Sequence, residues 1–259
     1  MGILNVTPDS FSDGGDFTDS GAAIAAGFAM AEAGAAVVDV GGESTRPRSR
    51  PTVPDVEAAR VVPVVAGLAR QGVAVSVDTR NAGTMEAALA AGARIVNDVS
   101  ALRHDPRAAS VVAAAGCPVV LMHMRGDPAT MHEHAAYGDV AAEVTRALAA
   151  RVAAAEAAGI DRSRIAVDPG IGFAKRAADN VALLRHLGML RSLGCPILLG
   201  VSRKGFIGEL SGEPVARRRV AGSIAAGLHA AAHADVLRVH DVSGTMQALR
   251  VWRGLDGFG

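Results

Sequence analysis

A chain of 259 residues, half of them hydrophobic, can bury one large core and matches the usual size of a single (β/α)₈ domain. Its 26 basic side chains balance 26 acidic ones, so no net field draws it to nucleic acid or an anionic membrane. No apolar stretch approaches the roughly 20 residues of a membrane span, and Met1 leads into a strand without the basic start and apolar middle of a signal peptide, so cytoplasmic small-molecule chemistry is expected.

Short apolar runs that end on polar residues alternate with alanine-rich, helix-like segments. The first run, Gly2-Ile3-Leu4-Asn5, opens into a long polar connection over 6–17; a helix is predicted near 20–33, then the run Val37 to Glu43 and a second long connection over 43–53. Helices predicted near 54–70, 81–91, 106–115, 138–158, 178–192, 217–232 and 243–253 interleave with runs that end at Asp78, Asp98, His123, Asp168, Ser202 and His240. Glycines 34, 72, 92, 116, 159 and 194 fall just after helical segments and just before strands, as helix C-terminal stops do. The runs are rich in Val, Ile and Leu without strict alternation, the pattern of parallel strands buried on both faces. The expectation is an α/β fold: a single (β/α)₈ TIM barrel in one domain, 1–259, with the polar strand ends converging in one cup. The two long connections after strands 1 and 2 are candidate active-site lids.

Cys117 and Cys195 each precede a proline at the start of a run, which puts them at the opposite end of the barrel from the polar residues, without a disulfide framework. Lysine occurs only at 175 and 204, both just past strand ends, where a compact ammonium differs most from a guanidinium. His132 and His134 form a His-x-His pair without a third ligand at helical spacing, and Arg217-Arg218-Arg219 reads as a solvated or dimer-facing patch. Trp252 is expected to pack the last helix against the barrel.

Eight segments in order resemble the dihydropteroate synthase family of pterin-binding barrels. They are Met1 to Gly15 (with Asn5-Val6-Thr7-Pro8-Asp9-Ser10-Phe11-Ser12-Asp13), Asp39-Val40-Gly41-Gly42-Glu43-Ser44-Thr45-Arg46-Pro47, Ser76 to Thr79, Asn97-Asp98, Leu121 to Met124, Asp168-Pro169-Gly170-Ile171-Gly172-Phe173, Gly200-Val201-Ser202-Arg203-Lys204 and Arg238-Val239-His240-Asp241-Val242. The resemblance implies the condensation of 6-hydroxymethyl-7,8-dihydropterin pyrophosphate with p-aminobenzoate to 7,8-dihydropteroate and pyrophosphate, Mg²⁺ dependence and a homodimer. The family often has glycine where this chain has Ala174 and Arg48.

A reduced pterin presents an edge of alternating donors and acceptors, so its site needs carboxylates and amides in register. Asp78, Asn97 and Asp168 end three different strands, and the resemblance carries pterin binding onto them and onto Lys204, Met122, Phe173, Gly200 and Arg238. Asn97 and Asp98 are adjacent and point to opposite faces of a strand; the family pattern selects Asn97 for the cup and leaves Asp98 to cap a loop. The same parity groups Ser202 with Lys204 and Arg238 with His240, leaves His123 as a hydrogen-bonded barrel residue, and lets Arg203 face solvent.

Pyrophosphate as leaving group calls for cationic donors and a divalent metal. Arg238 and His240 suit the first, with Thr45 and Arg46 from the second lid; Asn5 can offer Mg²⁺ an oxygen, for an ion that commonly takes few protein ligands. The resemblance implies a p-aminobenzoate pocket from Phe11, Arg46, Pro47, Phe173, Ser202 and Lys204, with Asp9 and Asp13 closing the first lid. It also implies a dissociative route through a pterin cation in which Asp78, Asp168, Lys204, Arg238 and His240 act on the reacting groups. A methyl-transfer barrel that binds a pterin shares the carboxylate and amide pattern without needing the Ser202 to Lys204 and Arg238 to His240 clusters. A non-catalytic pterin-binding paralogue is the other alternative.

Overall fold

The computed structural model describes residues 1–7, 20–44, 52–127 and 130–255. Its strands are β1 (Gly2–Asn5), β2 (Val38–Gly41), β3 (Val75–Asp78), β4 (Ile95–Asp98), β5 (Val119–Met122), β6 (Ile165–Asp168), β7 (Leu198–Leu199) and β8 (Val236–Leu237). The helices are α1 (Ser20–Glu32), α2 (Pro54–Arg70), α3 (Ala82–Ala90), α4 (Ala108–Ala115), α5 (Val140–Ala157), α6 (Ala177–Arg185), α7 (Gly205–Ser211), α8 (Val220–Ala230) and α9 (Val242–Leu255). β1 to β6 form one parallel ladder in chain order and β7 pairs with β8. Single bridges join the two ladders, Val167 to Ile197 on one side and Gly2 to Val239 on the other. The eight strands therefore follow one another around the (β/α)₈ barrel predicted from the alternation, with two seams held by isolated pairs.

Both faces of the strands are covered, and this selects the unalternating Val/Ile/Leu runs. Leu4, Val40, Val77 and Val96 lie in register across β1 to β4 and are almost fully buried. Parity turns them to one face and Asn5, Asp39, Asp78 and Asn97 to the other, so one four-residue strand serves both the helix layer and the cup. Burying such a side chain stabilises the fold by about 1.5–3 kcal/mol, so a register slip, which would turn the carboxylates into the helix layer, is strongly excluded. Below the mouth of the cup, Glu57 of α2 is buried and accepts hydrogen bonds from Thr79 Oγ1 (2.7 Å), Asn81 Nδ2 (2.9 Å) and Thr84 Oγ1 (2.7 Å). These bonds tie the turn that follows Asp78 to two helices.

The helices differ from expectation in two places. The segment predicted near 178–192 breaks after Arg185 into a 3₁₀ stretch, Leu187–Leu193. His186 caps the helix there, its amide and its Nδ1 both bonded to the carbonyl of Ala182 at 3.1 and 2.9 Å. Ahead of the seventh predicted helix stands the extra α7, whose Phe206 and Ile207 are buried and whose end is set by Gly212 at φ +73°. Cys117 and Cys195 are buried free thiols at the strand-entry end, as expected.

Candidate active site

The last residues of the first strands stand at one level. Asn5 pairs with Gly41, Gly41 with Asp78, and Asp78 with Asn97; further round, Met122 of β5 pairs with Asp168 of β6. Parallel register turns paired side chains to the same face, so Asn5, Asp78 and Asn97 enter one cup.

One cation organises this arc. Arg238, just past β8, donates from Nε to Asp39 Oδ2 (2.6 Å) and from Nη2 to Asp78 Oδ2 (2.6 Å), and Asn97 Nδ2 donates to the same Asp39 oxygen (2.9 Å). Asp39 is fully buried, and its second oxygen and the neighbouring Ser76 hydroxyl have no hydrogen-bond partner among the described residues. Burial pushes the Asp78 carboxyl up to about 7; Arg238 pulls it back, while the Asp39 charge adds to the rise. Arg238 is held above the ordinary arginine range by the carboxylates of Asp39 and Asp78, although burial acts the other way.

The opposite arc is built on turns. Burial raises the Asp168 carboxyl, and its Oδ1 accepts from the amide of Gly170 at 2.7 Å. Gly170 has φ +67°, and a Cβ there would lie 2.0 Å from the carbonyl oxygen of His123; at Gly172, φ +81°, a Cβ would meet Lys204 Cδ at 3.2 Å. Only glycine fits that approach. Lys204 Nζ sits 4.2 Å from the centroid of the Phe173 ring and, among the described residues, makes no hydrogen bond. Burial lowers its pKa to about 8, with Asp168 opposing. Val99, Met122, Met124, Met131, Phe173 and Ala174 form an apolar cluster separate from the main core, able to support a flat ring.

His240 and Ser202 complete the rim. Ser202 Oγ accepts from the His240 amide (3.2 Å) and lies within hydrogen-bond distance of His240 Nδ1 (3.0 Å). Burial and the Arg203 and Arg238 charges bring His240 down to about 4. The imidazole is therefore a neutral N–H donor in the free protein, not the cation expected from sequence.

Three other expectations change. β7 ends at Leu199, so the strand parity invoked for Ser202 and Lys204 does not apply, and both ride on the turn into α7. Arg203, with φ +60°, is paired through both Nε (3.0 Å) and Nη2 (2.6 Å) with Asp241 and does not simply face solvent. Arg217 and Arg218 are exposed, as expected, but Arg219 is not part of a solvated patch: it donates to the carbonyls of Arg203 (3.2 Å), Lys204 (3.3 Å), Glu213 (2.9 Å) and Pro214 (2.6 Å) and so holds the Lys204 turn.

Asp98 does what parity demanded: from the outer face it accepts from the amides of Ser100 (2.7 Å) and Leu102 (2.9 Å). His123 is a buried, hydrogen-bonded barrel residue, its pKa lowered to about 3 by burial and then by Lys175. Gly200 closes β7 beside Leu199. The sites predicted at Asp9, Phe11, Asp13, Thr45, Arg46 and Pro47 lie outside the described residues. Glu43 binds Arg80 at 2.9 and 3.0 Å and accepts from the amide of Thr52 (3.1 Å), which ties together the two ends of the second connection.

Sequence reasoning missed Asp39. It stood within a quoted motif, two residues before Gly41 on the inward face, and a carboxylate inside a barrel strand was the available signal. A cavity of about 420 Å³ lined by Arg103, Arg125, Arg151 and His134 shares Met122 with the cup but none of its carboxylates.

A parallel barrel whose strand ends present this carboxylate, amide and lysine set defines a pterin-binding enzyme, and the family model described as "Pterin binding enzyme" matches residues 1–240. The dihydropteroate synthase of Mycobacterium leprae is 49% identical over 258 residues, covering 97% of this chain and 91% of that protein. That of Neisseria meningitidis serogroup B is 47% identical, covering 98% and 92%. Among solved structures, Xanthomonas albilineans dihydropteroate synthase with 4-aminobenzoic acid superposes with a TM-score of 0.93 at 52% identity, covering 98% of this chain and 92% of that one. The chain belongs to the dihydropteroate synthase family and is a transferase. A methyl-transfer barrel and a non-catalytic paralogue are not favoured by these relatives.

Proposed function

We propose that the chain condenses 6-hydroxymethyl-7,8-dihydropterin pyrophosphate with p-aminobenzoate, giving 7,8-dihydropteroate and pyrophosphate. Relatives support the substrates: the Xanthomonas albilineans enzyme has been solved with 4-aminobenzoic acid and in complex with 7,8-dihydropteroate, the latter at TM-score 0.90, 50% identity and coverage of 98% of this chain and 92% of that one. The observation that carries the reading is the in-register arc Asp78–Asn97 clamped by Arg238, facing Asp168 and a lysine whose Nζ makes no hydrogen bond among the described residues.

Asp78 and Asp168 accept from the pterin's amino and ring N–H groups, Asn97 donates and accepts beside them, and Lys204 donates to the ring's acceptors. Pairing with these N–H groups offsets the cost of burying the two carboxyls. Met122 and Phe173 cover the faces of the ring, and Gly200 lets it approach the backbone. The C–O bond to pyrophosphate breaks first: its electron pair leaves on the phosphate oxygen, and the positive charge left on the pterin methylene is spread into a ring flanked by Asp78 and Asp168. The aryl amine of p-aminobenzoate then forms the C–N bond, and the resulting aryl ammonium, a strong acid, loses its proton without an obligatory base. Arg238 and the neutral N–H of His240 stabilise the departing pyrophosphate, with Thr45 and Arg46 of the second lid. Phe173, Ser202 and Lys204, with Phe11, Arg46 and Pro47 from the lids, form the p-aminobenzoate pocket, and Asp9 and Asp13 close it against water.

The side chain of Asn5 makes no hydrogen bond among the described residues, and none of these hold three clustered His, Cys, Asp or Glu side chains. This donor set fits an ion held by one amide oxygen, with water and phosphate for the rest. Asn5 would hold Mg²⁺, whose charge, when bound, neutralises the leaving pyrophosphate. The balanced charge supports small-molecule partners and no nucleic acid; no described helix is long and apolar enough to cross a membrane. We place the chain in the cytoplasm, as a single-domain homodimer.

Pyrophosphate release from the pterin substrate with Mg²⁺, with and without p-aminobenzoate, tests this. Release accompanied by dihydropteroate is expected; pterin binding without either product, in folded protein, would overturn it.

A further inference from the structure

We infer that Lys175, a residue outside the substrate contacts, is a positioning residue that holds Asp168 and Phe173 in place for the pterin. This rests on the reading that those two residues bind that substrate.

The geometry is a closed ring of hydrogen bonds across the ends of β5 and β6. The His123 amide donates to the Asp168 carbonyl at 2.9 Å. Asp168 Oδ1 accepts from the Gly170 amide at 2.7 Å, and the Gly170 carbonyl accepts from Lys175 Nζ at 3.0 Å. Lys175 Nζ closes the ring by donating to His123 Nδ1 at 3.0 Å. A third bond, also 3.0 Å, goes to the carbonyl of Phe173, whose ring lies under Lys204. Protonated, Lys175 has three N–H donors and no acceptor, and all three are used on these partners; burial brings its pKa down to about 7, with Asp168 opposing, so the full set of bonds belongs to the protonated form below neutral pH. His123 is held neutral, so Nδ1 offers a lone pair and the ring proton sits on Nε2.

Two further features point the same way. Lys175 is 9% exposed, and none of its hydrogen-bond partners is a carboxylate, an unfavourable place for a charge that serves only to fill space. Between Phe173 and Lys175 stands Ala174 at φ +49°, a left-handed conformation that an L side chain rarely adopts and that persists where the surroundings over-determine it. Asn180 supports the same loop, accepting from the Gly172 amide at 2.7 Å and donating to the carbonyls of Lys175 (3.3 Å) and Arg176 (2.9 Å). A methionine would fill the volume of Lys175 and hold none of these carbonyls.

The test uses the whole chain as wild type, Lys175→Met and His123→Ala. It reads thermal unfolding, the KM of each substrate, kcat, and binding of 6-hydroxymethyl-7,8-dihydropterin pyrophosphate by calorimetry. Lys175→Met is expected to stay folded with its pterin Kd and KM raised about tenfold or more, the scale on which loss of a charged hydrogen bond reads out. His123→Ala should move the same constants the same way by less, since two of the three acceptors remain. A folded Lys175→Met protein with unchanged pterin Kd and KM, and only a lower kcat or melting temperature, overturns the assignment. If Lys175→Met does not fold, His123→Ala decides by the same criterion. Wild-type protein that binds the pterin without turning it over would sink the synthase reading, while the binding constants of the variants still decide the role of Lys175.

Discussion

The two arcs of the cup carry similar side chains on different supports. From β1 to β4 the polar residues are strand residues in continuous register, and Asp39, Asp78 and Asn97 are already bonded to each other or to Arg238. Across the cup Met122 and Asp168 end strands, while Phe173, Ser202 and Lys204 ride on turns shaped by Gly170 and Gly172, by Arg219 and by the Lys175 ammonium. The first arc is rigid because a ladder and an ion network fix it together. The second owes its geometry to a few hydrogen bonds per turn, and it is there that Lys204 Nζ makes no hydrogen bond among the described residues.

The contrast breaks down most severely if one residue of either arc is truncated. Asp78→Ala and Lys204→Ala should each lower kcat/KM by about a thousandfold or more, as removal of one charged, buried partner does, while circular dichroism stays that of the wild type. Near-normal turnover in either variant would remove that residue from the site. Arg238→Ala separates the arcs energetically. It leaves Asp39 and Asp78 buried without their cation and should cost about 3–5 kcal/mol in urea unfolding, whereas Lys204→Ala should cost far less.

Acidity sharpens the comparison next. With Asp78 pushed up to about 7, Lys175 pulled down to about 7 and Lys204 to about 8, kcat/KM for the pterin substrate should rise on the acid side as Asp78 ionises and fall above about pH 7 to 8 as Lys175 and then Lys204 lose their protons. A profile flat from pH 6 to 9 would contradict these assignments. For stability the sign is opposite on the first limb. A carboxyl whose folded pKa is raised keeps its proton in the native state, so its contribution to stability falls as pH rises from its ordinary value toward 7. The smallest effect belongs to the rim: Arg203→Ala breaks an ion pair whose partners are 31% and 21% exposed and should change stability by no more than about 1 kcal/mol.

Asp78, Asn97 and Asp168 were legible in sequence because each closes an apolar run; parity put Asn97 and Asp98 on opposite faces, and the family pattern chose Asn97 for the cup. The helix positions were legible for a similar reason: glycine stops and alanine-rich spacing are local signals. Asp39 was not assigned because its meaning lies in Arg238, 199 residues away. Arg203 and Arg219 were read as solvated because a run of basic residues carries no sign that carbonyls and a carboxylate from other segments surround it. Lys175 stood out only as a rare lysine.

By itself the sequence determined the order of strands and helices and the face on which the polar residues gather, since both follow from spacing along the chain, and its ordered motifs carried the resemblance to the family. Only the tertiary structure decided which charges meet: that Arg238 is shared by two carboxylates, that His240 is a neutral donor beside Ser202, and that the buried Lys175 ammonium spans β5 and the loop after β6. Those outcomes depend on burial and on contacts between residues far apart in the chain, and neither is written in the local pattern.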